Sequence, residues 1–126
     1  MPPVSRSGFC SLHDQCDALL AQLVRNDRNL EQGCCPLKVL EAMSTGYPLV
    51  ASEFAGVREL AQDERQSLLV RPGSGTVIND ALSRLVDEPG LAERLLTASR
   101  EHVVQALAWE RAQKNIVSIF EELLKN

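Results

Sequence analysis

The chain has 126 residues, 44% hydrophobic and 24% charged, with a formal net charge of −4. One globular domain with a real core fits that length and composition. The acidic balance argues against a nucleic-acid partner, because phosphate binding wants a basic surface. No apolar run is long enough to span a bilayer, and no charged n-region with an apolar h-region opens the chain, so a cytoplasmic location is expected.

Residues 1–11 carry prolines, serines and a glycine and read as a flexible leader, with the domain proper expected over 12–126. "DALLAQLV", Asp17 to Val24, is a nearly continuous apolar run that suits a buried parallel strand, although a helical turn also fits. "RNDRN", Arg25 to Asn29, is a polar loop. Pro36 suits the first turn of a helix, where its missing N–H costs nothing. Val39, Leu40 and Met43 then share one helical face, and Lys38, Glu41 and Thr45 the other. Gly46 and Pro48 close that helix. "LVAS", Leu49 to Ser52, is a second short strand, "GVRELAQ" from Gly56 a short helix, and "SLLV", Ser67 to Val70, a third strand. Helical stripes follow over Thr76 to Val86, Leu91 to Val104, and Trp109 to Leu124. Strand and helix alternate three times, which predicts an α/β fold with a small parallel sheet, flanking helices and extra C-terminal helices.

The chemistry concentrates in "QGCCPLKVLEAMSTGYPLVAS", Gln32 to Ser52. Ligands of open α/β sheets bind beyond the carboxyl ends of the strands. A helix N-terminus there offers free N–H donors and a positive dipole end to phosphate. Gly33 allows close backbone approach, Lys38 adds a cation one turn in, and Glu41 places a carboxylate three residues further on. That order fits a nucleoside diphosphate lying along the helix. Lys38 and Glu41 at this spacing more often form a weak surface ion pair. The four cysteines, Cys10, Cys16, Cys34 and Cys35, are expected to be thiols. Cys10, His13 and Cys16 with Cys34 or Cys35 also admit a small zinc module, though without a Cys-x-x-Cys knuckle.

"GCCPLKVLEAMSTGYPLVASEFAGVREL", "LLVRPGS" and "WERA" together resemble the C-terminal, donor-binding domain of family-4 glycosyltransferases of the GT-B fold. The resemblance covers Asp17 to Leu124 and implies a Rossmann-like sheet. It also implies transfer of a sugar from a nucleotide-diphosphate donor, with retention of configuration and without a further cofactor. The family motif has two glutamates separated by seven residues. Glu41 matches the second, which contacts the ribose. The first falls at Gly33, and Glu31 lies two positions away from it. The chain is similar to the Cys-Pro-Leu-Lys variant of the motif, which places Leu37 and Lys38 beside the diphosphate. Gly33, Cys34, Leu37, Lys38 and Glu41 are thus the expected donor-binding set, and no catalytic residue is assigned. Nothing corresponds to the family's earlier strand–helix units or to its acceptor domain. The resemblance therefore implies the distal half of a donor domain, with little transfer by the isolated chain. It also implies an uncovered apolar face around Ile116–Phe120, which would favour self-association or an N-terminal half-enzyme as partner. A non-catalytic module that completes another chain's fold is the competing expectation.

Overall fold

The computed structural model describes residues 5–13, 15–26 and 35–125. In chain order these form α1 (Arg6–His13), β1 (Leu19–Ala21), α2 (Leu37–Thr45), β2 (Leu49–Ser52), the single turn α3 (Ala55–Arg58), β3 (Leu68–Val70), α4 (Gly75–Asp87) and α5 (Leu91–His102). A π-helical turn (Val103–Leu107) and α6 (Trp109–Lys125) follow. The three strands pair in parallel in the order β1-β2-β3. Leu19 stands opposite Leu49, and Val50 opposite Leu68.

All four residues of β2 are buried, as expected of a central parallel strand covered on both faces. Strand alternation divides them between two clusters. Leu49 and Ala51 pack with Ala21, Val39, Ala42, Met43 and Val57 under α2 and α3. Val50 packs with Leu68, Val70, Ala81, Leu91 and Leu95 under α4 and the start of α5. The far end of α5 and the turn after it reach the first cluster: Val103 of the π-helical turn packs against it, and the buried Ser99 hydroxyl of α5 donates to the Met43 carbonyl at 3.4 Å. Leu20 points from β1 toward the second face and is left 48% exposed.

Part of the stretch read as a flexible leader is helical, over residues 6–13. The Ser5 hydroxyl accepts a hydrogen bond from the Gly8 N–H at 3.2 Å, an N-cap contact that starts α1. The first strand is also shorter than the apolar run over 17–24, because only Leu19–Ala21 pair with β2. The next ladder position is taken by a side chain, since the Leu23 N–H donates to the Ser52 hydroxyl at 2.9 Å.

Gly46 ends α2 in the left-handed region at φ 82°, as its place before Tyr47-Pro48 predicts. A Cβ there would meet Arg100 Nη1 at an ordinary 3.6 Å, so the obstacle is conformational, not steric. Gly46→Ala is expected to lower stability by about 1 kcal/mol, read from urea unfolding. An unchanged midpoint would contradict that helix end.

At the amino edge of the sheet, Arg84 of α4 pairs with both Glu64 and Glu88. Arg94 of α5 donates to the Glu64 carbonyl at 2.6 Å. Glu64 is held at φ 60°, unusual for a residue with a Cβ. The Arg84 guanidinium, through its hydrogen bonds, holds both carboxyls below their ordinary value of 4.5. Lowered folded-state values stabilise the chain above the ordinary carboxylate range, and the contribution is lost as pH falls through the lowered values. The three side chains are 40–49% exposed, so solvent screening keeps the effect modest. Arg84→Met is expected to lower the melting temperature at neutral pH and to leave less of the wild-type loss on acidification. Parallel pH profiles for the two proteins would contradict this.

No helix among the described residues is long and apolar enough to cross a membrane. α6 differs from the other long helices in that none of its residues is buried.

Candidate functional site

The carboxyl ends of the strands carry three connections: Gln22 onward after β1, Glu53 and Phe54 after β2, and Arg71 onward after β3. The ends are tied together, since the Glu53 N–H donates to the Val70 carbonyl at 2.8 Å. The start of α2 lies beside them. Lys38, in its first turn, reaches back so that Nζ donates to the Gln22 carbonyl at 2.9 Å. A cation from the helix therefore stands where the first strand ends, at the edge where α/β sheets take ligands. Leu37 is 66% exposed beside it, and Glu41 is exposed one turn further along. Among the described residues Lys38 and Glu41 form no ion pair, so the surface-pair alternative is not the arrangement found. An ammonium has three donors, so the Gln22 contact leaves capacity for phosphate oxygens.

The helix start differs from expectation in one respect. Pro36 precedes the helix as its cap residue, at φ −79° and ψ 86°, and Leu37 is the first helical residue. The Leu37 N–H donates to the Cys35 carbonyl at 3.0 Å, and the Val39 N–H to the Pro36 carbonyl at 2.8 Å. Two early donors are thus engaged within the turn, and the Lys38 side chain gains weight relative to the backbone. Gly33, Cys34 and Glu31 lie outside the described residues.

Glu53 and Arg58 form a contact at the same edge that local spacing does not announce. The Glu53 carboxylate accepts from Arg58 Nε at 3.1 Å and Nη2 at 2.7 Å. The pair is five residues apart and closes across the α3 turn, which no helical i, i+4 rule would find. A groove of about 540 Å³ lined by Thr45, Tyr47, Thr97, Arg100 and Val104 sits at the other end of α2, away from Lys38. Among the described residues no group of three or more His, Cys, Asp or Glu could hold a metal. Cys16 and Cys35 are free and exposed. The side chains of Cys10 and His13, and all of Cys34, which the zinc expectation needs, lie outside the described residues.

A parallel three-strand sheet between helices, with a charged helix start at its carboxyl edge, defines a Rossmann-like α/β domain. Residues 8–88 match the family described as glycosyl transferases group 1, and the chain belongs to that family. It is 31% identical over 83 residues to the phosphatidyl-myo-inositol mannosyltransferase of Mycobacterium leprae, covering 66% of this chain and 22% of that protein. Solved structures of GT-B glycosyltransferases share its fold. A glycosyltransferase from Rickettsia africae matches with TM-score 0.74 at 17% identity, over 97% of this chain and 31% of that one. Anabaena Alr3699/HepE in complex with UDP-glucose matches with TM-score 0.72 at 16% identity, over 88% and 29%. The chain spans about a fifth of the length of the curated relatives it matches.

Proposed function

We propose that the chain supplies the nucleotide-diphosphate part of the donor site of a retaining, family-4 glycosyltransferase. Lys38 and the start of α2 hold the diphosphate, Leu37 packs beside it, and the Glu41 carboxylate accepts hydrogen bonds from the ribose diol. Gly33 and Cys34, which lie outside the described residues, belong to the proposed donor-binding set. The nucleotide sugar is substrate, and no further cofactor takes part. In the reaction these groups position the donor and stabilise charge gathering on the departing diphosphate.

The observation that carries this reading is the Lys38 Nζ placed on the Gln22 carbonyl at 2.9 Å, at the carboxyl end of β1, with Glu41 unengaged by it. Family membership and the UDP-glucose bound by Anabaena Alr3699/HepE support the class of ligand. A cytoplasmic role in bacterial polysaccharide or glycolipid synthesis accompanies the proposal. The test is calorimetry of the chain with UDP, GDP and ADP against UMP. Diphosphates are expected to bind at least tenfold more tightly than the monophosphate, because a charged hydrogen bond at Lys38 is worth about 1.5–3 kcal/mol. Equal affinity for UMP and UDP would contradict it. The isolated chain is expected to transfer little sugar, and robust transfer would overturn that part.

A second reading, an interaction module that joins another chain, is favoured by the uncovered α6.

A further inference from the structure

We infer that Ser52 is the positioning residue for Lys38, acting through the one peptide unit that joins Gln22 to Leu23. The inference rests on the proposed donor site, in which Lys38 holds the diphosphate. Two contacts meet on that unit. The Leu23 N–H donates to the Ser52 hydroxyl at 2.9 Å, and the Gln22 carbonyl accepts from Lys38 Nζ at 2.9 Å. The described residues contain no cis peptide bond, and in a planar trans unit the N–H and the C=O point to opposite sides. Ser52 therefore fixes which way the Gln22 carbonyl faces, and that carbonyl fixes where the ammonium stands.

The clamp falls where the sheet stops supplying one. Ala21 is the last residue of β1 in register with β2, so the Gln22–Leu23 unit lies beyond the ladder. Ser52 ends β2 and is 2% exposed, so its oxygen is held by the packed strand. A free lysine side chain samples many rotamers, and holding one of them in advance reduces what binding must order. One of the three ammonium donors is used on the carbonyl, which leaves two at the carboxyl edge of the sheet. Hydrogen bonds in series polarise one another, so the Ser52 contact also makes the Gln22 carbonyl a better acceptor for Lys38. Without the hydroxyl, nothing on the β2 side holds the unit, and the ammonium loses its fixed place.

The test has two arms on the whole chain. The first needs no nucleotide and reads the Lys38 Cε and Nζ resonances by NMR. In the wild type they are expected to stand apart from those of Lys114 and Lys125, which are exposed on α6. Ser52→Ala is expected to move them toward the exposed lysines, and Ser52→Thr, which keeps a hydroxyl, to leave them in place. Ser52→Cys fills the same space with a weak acceptor and is expected to behave like Ser52→Ala. The second arm is calorimetry with UDP and UMP. Ser52→Ala is expected to weaken UDP about threefold to tenfold and UMP much less, with Ser52→Thr close to wild type. In a Lys38→Ala background, Ser52→Ala is expected to change nothing further. Lys38 resonances unmoved by both Ser52→Ala and Ser52→Cys would overturn the inference. So would equal losses for UDP and UMP, or a Ser52→Ala effect that persists without Lys38, since those mark a purely structural role. Lys38→Ala that leaves UDP binding unchanged would refute the donor-site reading instead, and the resonances still decide whether Ser52 places Lys38.

Discussion

Leu49→Ala is expected to cost about 2–5 kcal/mol, a large share of the roughly 5–15 kcal/mol that holds a domain folded. Leu49 has no solvent exposure and sits in the central strand. It pairs with Leu19 and packs into the cluster under α2. Truncation leaves a void that fixed backbone on both sides cannot close. Among the described residues β2 is the middle of three strands, so its side chains fill both core clusters. Urea unfolding followed by circular dichroism reads the effect. Substituting exposed Leu20 on the neighbouring edge strand is the control, and it is expected to cost well under half as much. Comparable losses at both positions would mean that β2 is not the centre of the core.

Lys38→Ala is expected to weaken nucleoside diphosphate binding by tenfold to a hundredfold, as removal of a charge-assisted contact does. Lys38→Arg keeps the charge but not the compact ammonium at the Gln22 carbonyl, so partial binding is expected. Glu41→Ala removes the proposed ribose contact and is expected to weaken nucleosides and nucleotides alike. It should leave the preference for diphosphate over monophosphate intact. Both side chains are exposed, and neither change should disturb the fold. The two variants thus separate the phosphate role from the ribose role. If Lys38→Ala reduced UMP and UDP binding equally, the diphosphate assignment would fail.

The helical elements were legible where periodicity and breakers agreed. Val39 and Met43 are fully buried and Lys38 and Glu41 exposed, as the stripe in "LKVLEAM" requires. Gly46 and Gly90 both take positive φ where the chain turns. β2 read correctly because a four-residue apolar run in a parallel sheet has no competing helical pattern. Its neighbour β1 did not, because its length depends on a partner thirty residues away, where the Ser52 hydroxyl ends the ladder. α1 was hidden because a single serine cap outweighs the breaker residues around it. The Arg84–Glu64 pair spans twenty residues and depends on how α4 settles on the turn before β3. At the site, residue types and order were legible in "PLKVLE". The Lys38–Gln22 contact was not, since only folding brings those residues together across sixteen positions. The uncovered stripe of α6 was legible as a stripe, while its lack of intramolecular cover came from the resemblance and then from the structure.

The most direct test of the central claim is an amide NMR titration of the folded chain with UDP, repeated on Lys38→Ala and Glu41→Ala. Shifts centred on Cys35 to Glu41 and on Gln22, reduced in both variants, are the predicted result. A well-dispersed spectrum that UDP leaves unchanged, or shifts centred on the groove at the far end of α2, would contradict it.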